Sequence, residues 1–172
     1  GGASMTINSG GDVFSGRVGM AALLTGTSNV DVNGTGSLWN ITGSLDVSGG
    51  LGIAGGAANL TVRNNAQLVV NGGPTDAVRL STGARVHLNS ATMNSSLPVR
   101  CINAGGLNVL DMTGASLFCS VLEVGGSVVT ANGLIGGGVN LSDADGHLDL
   151  TNNLTISLGA TQFISGPGSL RV

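Results

Sequence analysis

Short segments with an aliphatic residue at each end recur along the whole chain, separated by turn-forming residues. Between Asn29 and Gly73 they are Val30-Asp31-Val32, Leu45-Asp46-Val47, Leu51-Gly52-Ile53, Leu60-Thr61-Val62 and Leu68-Val69-Val70. Alternation with a period of two puts both end residues on one face and the middle residue on the other, the signature of a half-buried strand. Gly, Asn, Ser and Thr between the segments supply the turns. Strands of three residues bury too little to stand alone, so they must stack on copies of themselves. Stacking of short repeated units is the logic of a solenoid.

Composition narrows the choice. Gly accounts for 31 of 172 residues, charged residues for 9% and aromatics for 2%, whereas an ordinary globular domain carries about a quarter charged residues. A chain this rich in Gly, Ser and Asn could be disordered, but disordered chains lack aliphatic residues, and here hydrophobic residues reach 41%. Three Phe and one Trp are too few for a conventional core, yet a thin interior of Val, Leu and Ile needs no large rings. The net charge of -3, with six basic side chains that are all arginine, provides no phosphate-binding stripe, which argues against nucleic acid. No apolar run approaches the roughly 18 residues of a membrane-spanning helix.

The pattern runs from end to end without a linker, so residues 1–172 read as a single β-solenoid domain. It opens at Met5-Thr6-Ile7 and continues through Val78-Arg79-Leu80 and Val86-His87-Leu88, where Arg79 and His87 point outward. From Asn89 to Asn103 it weakens, and Pro98 predicts a loop or an irregular turn of chain. It resumes at Leu107 and reaches Phe163-Ile164 and Leu170-Arg171-Val172. Segment starts lie about eight residues apart, so three strands per coil give about 22 to 25 residues per coil and about seven coils. Stacked at strand spacing, these make a rod about 35 Å long. The expected fold is therefore all-β, a right-handed parallel β-helix. Asn29, Asn33, Asn64, Asn65 and Asn71 are expected at turns, where Asn tolerates left-handed backbone and can form hydrogen-bonded ladders. Solenoid ends without polar caps expose sheet edges, so the chain reads as a fragment of a longer solenoid.

Few residues suggest chemistry. Asp143, Asp145 and Asp149, around Gly146, alternate like part of a calcium loop; no Glu closes the set and the Gly falls early, so a solvated turn is the plainer account. His87 and His147 are isolated. Acid-base chemistry on carbohydrate would need several Asp, Arg or Lys residues on neighbouring coils of one face. The groups on offer are Asp76, Arg79 and Arg85, or Asp111 with Glu123, and neither is dense. No cofactor motif is present, and the expectation is a protein that is not an enzyme. Cys101 and Cys119 stand a little under one coil apart, which fits either a disulfide or two buried thiols. Trp39 is either an exposed contact for sugar or protein or a side chain packed over a corner. Six N-x-S/T sequons, beginning with Asn33 and Asn40, are no more than an Asn- and Thr-rich chain gives by chance.

Gly34-Thr35-Gly36-Ser37-Leu38-Trp39, with Ile41-Thr42-Gly43-Ser44-Leu45-Asp46-Val47 after it, resembles the G-x-G-S-x-W…G-x-L-x-V repeat of bacterial autotransporter passenger domains. Ala58-Asn59-Leu60-Thr61-Val62 through Gly72-Gly73 is similar to the units that follow that repeat. The resemblance covers about residues 4 to 73. It implies a right-handed β-helix displayed outside the cell, for adhesion or self-association with a cell-surface protein or glycan as partner. The alternatives are a polysaccharide-binding or cleaving β-helix and a filament subunit that stacks end to end.

Overall fold

The computed structural model of the protein describes residues 1–23, 25–50, 53–102, 107–158 and 164–171. Leu24, Leu51, Asn103, Phe163 and Val172, which belong to or border expected segments, lie outside the described residues. The described residues form strands and turns without a helix, and so no helix long and apolar enough to cross a membrane.

The strands pair in three parallel ladders. The first runs from Gly2–Asn8 to Thr27–Asn33, Ala57–Arg63 and Ala84–Asn89. It continues through the long strands Asn108–Gly125, Val128–Leu141 and His147–Ser157 to Ser169–Arg171. The second begins with Asp12–Ser15, Leu38–Thr42, Gln67–Asn71 and Thr92–Ser95. The third begins with Val18–Met20, Leu45–Val47, Val78–Leu80 and Val99–Ile102. The long strands join all three, and together they make one 17-stranded sheet. Among the described residues, the only antiparallel pair is Gly49–Gly50 with Ile53–Ala54. An all-β chain of parallel strands is what the segment pattern predicts, and the nearly closed sheet is compatible with a β-solenoid.

Register explains the interior. Ile7, Val32, Val62, Leu88, Met112 and Ala131 face one another through successive strands of the first ladder. All are buried. Neighbours in this column stand about 4.8 Å apart, and burying each aliphatic side chain contributes roughly 1.5–3 kcal/mol. Trp39 occupies the same kind of position in the second ladder, between Val13 and Leu68.

Two expectations change. Residues 89–102 are not an irregular loop: Thr92–Ser95 pairs with both neighbouring strands, and Val99–Ile102 does the same. Pro98 sits in the corner between them, where its missing N–H disturbs no ladder and its carbonyl accepts the Val78 amide at 3.0 Å. The pattern looked weak because Met93 and Ser95, not two aliphatics, take the inward positions. Second, Asn29, Asn33 and Asn71 lie within strands and not in turns. Asn64 and Asn65 do adopt left-handed backbone, with φ of 57° and 64°. The asparagine ladder is present: Asn59 Nδ2 donates to Asn29 Oδ1 and Asn64 Nδ2 to Asn33 Oδ1, both at 2.8 Å.

Spacing between paired residues is uneven. Val30 pairs with Leu60, 30 residues on, whereas Leu110 pairs with Val129, only 19 residues on. The shorter passage turns corners within continuous strands, and Gly133 shows why it can. Its φ is +135°, and a Cβ there would stand 2.1 Å from the Ala115 carbonyl oxygen. Gly133→Ala is therefore expected to destabilise the protein by about 2–4 kcal/mol through clash and backbone strain. Gly16→Ala, at a position with nothing within 4 Å of the added carbon, should stay within about 0.5 kcal/mol. Denaturant unfolding of both variants checks the contrast.

Candidate functional site

Side chains between the buried positions of the first ladder form an outward wall. Its central row, set by strand register, reads Thr6, Asp31, Thr61, His87, Asp111, Thr130, Asp149 and Arg171. A neighbouring row carries Ser4, Asn29, Asn59 and Arg85. Charge along the wall is largely cancelled. Arg63 holds Asp31 through Nε at 3.0 Å and Nη2 at 2.9 Å, and Asp31 in turn raises the Arg63 pKa by hydrogen bond and charge. Arg171 Nη2 donates to Asp149 Oδ2 at 2.9 Å, and His87 Nδ1 stands 3.5 Å from Asp111 Oδ2. A hollow of about 370 Å³ lies over the first three strands, lined by Ser4, Thr6, Asn29, Asp31, Asn59, Thr61 and Arg63 among others. A smaller one of about 160 Å³ is lined by Arg85, Val86, His87, Val109 and Asp111.

The third ladder carries the densest charge. Its outward row is Asp46, Arg79, Arg100 and Glu123. Asp46 is almost fully buried. Arg79 Nη1 donates to its Oδ1 at 3.0 Å; its Oδ2 has no hydrogen bond and faces Arg17 Nη2 at 3.6 Å. Arg100 Nε lies 3.0 Å from Glu123 Oε2, an ion pair without hydrogen-bond alignment. Beside this row the Ser44 hydroxyl donates to Asp76 Oδ1 at 2.8 Å and the Gly73 amide to Asp76 Oδ2 at 2.8 Å. Those two bonds, with help from the charges of Arg17 and Arg79, hold the Asp76 carboxyl below its ordinary pKa. A carboxylate so stabilised is a poor proton donor near neutral pH.

The expected sets come together only in part. Asp76, in the turn before the third-ladder strand Val78–Leu80, feels the charge of Arg79, but Arg85 belongs to the first ladder. Asp111 and Glu123 are likewise divided, one on the first ladder and one on the third, because the long strand Asn108–Gly125 turns corners between them. The calcium set does not form: Asp149 is committed to Arg171, while Asp143 Oδ1 accepts the amides of Gly126 and Asp145 at 2.8 and 3.0 Å. Among the described residues no three His, Cys, Asp or Glu side chains converge as a metal site. Trp39 is not a surface contact; it is 2% exposed, and its indole Nε1 donates to Ser15 Oγ at 2.9 Å.

Cys101 and Cys119 are free and buried, so the disulfide alternative gives way to the buried thiols. Burial pushes the Cys119 pKa up to about 12 and raises that of Cys101 further, with the charge of Cys119 adding to the rise.

Reading the sequence missed the Arg17–Asp46–Arg79 cluster and the Arg85–His87–Asp111 hollow. The middle residues of the segments were visible as outward side chains; their neighbours depend on the spacing between segments, which varies. No family model, curated protein or solved structure matches the chain.

Asp76 and the cysteines give measurable consequences. Because the folded pKa of Asp76 is lowered, its stabilising contribution is present above the ordinary carboxyl value of 3.8 and is lost as pH falls through and below it. Asp76→Asn should therefore be less stable than the wild type at pH 7, with the gap closing on acidification below about pH 4; urea midpoints at both pH values measure it. Iodoacetamide at pH 8 should leave both thiols of the folded protein unmodified and label both after unfolding without reductant, read by intact mass. A disulfide would leave them unlabelled in both states.

Proposed function

We propose that the chain is an extracellular or bacterial cell-surface structural and adhesive module. In this reading it is a right-handed β-helix of about three short strands per coil and about seven coils. It acts by self-association, or by contact with a cell-surface protein or glycan, and catalyses no reaction. The observation that carries the reading is the regular outward row from Thr6 to Arg171, with its flanking Asn29–Asn59 hydrogen bond. Thr, Asn and Asp repeating at strand spacing offer many modest hydrogen bonds over a long wall. Individually such bonds contribute only about 0.5–1.5 kcal/mol, so the contact gains strength from repetition. Pairing of the charges keeps the wall close to neutral, which lets two such surfaces approach without the repulsion that a single-sign face would impose. Resemblance of residues 34–47 to autotransporter passenger repeats supports the same assignment, and the shallow hollows are lined for contact more than for enclosed chemistry.

Sedimentation of the purified chain over a wide concentration range tests the proposal. Self-association should strengthen with concentration and weaken in Thr61→Lys, which places a bulky cation in the middle of the wall without touching the core. The thermal unfolding temperature of that variant should remain that of the wild type. A chain that stays monomeric at high concentration and binds neither cells nor a glycan array would overturn the assignment.

A further inference from the structure

Arg85 is set apart from the other five arginines. Arg17, Arg63, Arg79, Arg100 and Arg171 each lie against a carboxylate, whereas the bond recorded for Arg85 runs from Nη1 to the carbonyl of Ala84, at 2.8 Å. The neighbouring strand, Asn108–Gly125, is irregular at its start. Register places Val86 opposite Leu110, so Val109 is the residue that would face Arg85. In the pairing of Asn108–Gly125 with Val128–Leu141, on the side away from Arg85, a break in register falls between Asn108 and Leu110, and both Val109 and Leu110 are buried. Two consecutive inward side chains leave the outward slot beside Arg85 empty, as a β-bulge does when it re-aims a side chain. Beside it lies the hollow of about 160 Å³ lined by Arg85, His87 and Asp111 together with Val86 and Val109. Asp111 lies on the Nδ1 side of the His87 ring, which leaves Nε2 on its far side.

We propose that this hollow binds the carboxylate of an acidic saccharide, a uronic-acid residue being the simplest form. The guanidinium of Arg85 supplies planar, charge-assisted donors that match a carboxylate. Register sets Asp111 opposite His87, 3.5 Å from its Nδ1, and so diagonal to Arg85 instead of facing it. Register sets Asn59 beside Arg85 and Thr61 beside His87, and these amide and hydroxyl groups continue the site with neutral partners for sugar hydroxyls. A ligand with one acid group and several hydroxyls fits that distribution better than a bare anion. The proposal rests on the first-ladder wall being a contact surface, but it does not require that the wall associate with itself.

The test is a titration of the intact chain followed through its histidine imidazole resonances by NMR, with glucuronate, glucose and acetate as probes. His147, on the same ladder, serves as the internal reference, and His87→Gln assigns the signals. Glucuronate should shift His87 saturably and leave His147 in place, while glucose and acetate should bind at least about tenfold more weakly. Arg85→Gln should weaken glucuronate by about tenfold, the loss of one charge-assisted pair, while Arg171→Gln should not. Equal binding of acetate and glucuronate would overturn the saccharide assignment. Equal binding of glucose and glucuronate, or an Arg85→Gln variant that binds glucuronate unchanged, would overturn the role of the hollow. Sedimentation is blind to these outcomes, so failure here is distinguishable from failure of self-association.

Discussion

Parallel stacking of small aliphatic side chains in register is the interaction on which everything else in this protein depends. Each short strand is too brief to hold itself, and each becomes stable only because the strand on either side supplies both its hydrogen bonds and its apolar neighbours. The column from Ile7 to Ala131 shows the consequence. Every inward residue touches its equivalents directly, so side-chain size is limited and large rings are scarce. Trp39 is accommodated because its neighbours on the ladder are Val13 and Leu68 and because Ser15 satisfies the indole nitrogen that burial would otherwise leave without a partner.

Stacking imposes the same discipline outside. Outward residues on successive strands are only about 4.8 Å apart, a distance at which like charges repel and opposite charges pair. The third ladder resolves this with Asp46 and Glu123 at the two ends of a row whose middle is Arg79 and Arg100. The first ladder alternates carboxylates with Thr and His, and places a cation one strand away from Asp31 and from Asp149. Exposed pairs of this kind contribute little stability, about 0–1 kcal/mol each. Their effect is on the surface: a low-charge chain presents walls that are polar yet nearly neutral.

Much of this could be read from the chain, because a period of two is a local property. Val30 and Val32, Leu60 and Val62, and Val86 and Leu88 announce their inward faces within three residues, and Asp31, Thr61 and His87 announce the outward one. What could not be read is which outward residues meet. That depends on how many residues lie between paired strands, and the 30 from Val30 to Leu60 against the 19 from Leu110 to Val129 make any constant spacing fail. Asp111 and Glu123 belong to one strand, and corners inside it put them on different ladders. Pro98 misled for a related reason: a proline that would break a strand is harmless in a corner, and corners cannot be told from strands where Met93 and Ser95 replace the usual aliphatics.

Irregularity is therefore where such a structure can acquire specificity. A ladder in perfect register repeats the same surface at every step and can distinguish one partner from another only by area. A bulge changes that locally, since one extra residue on one strand reverses the facing of a side chain without disturbing the strands further along. At Val109 the reversal buries a valine that would otherwise project, and the cost to the core is small because a valine is what the core already holds. Outside, the same reversal removes one side chain from an otherwise continuous row and uncovers the flank of an arginine that register leaves without a carboxylate. The hollow beside Arg85 thus follows from the stacking rule and a single departure from it, with no need for a separate loop or domain to build it.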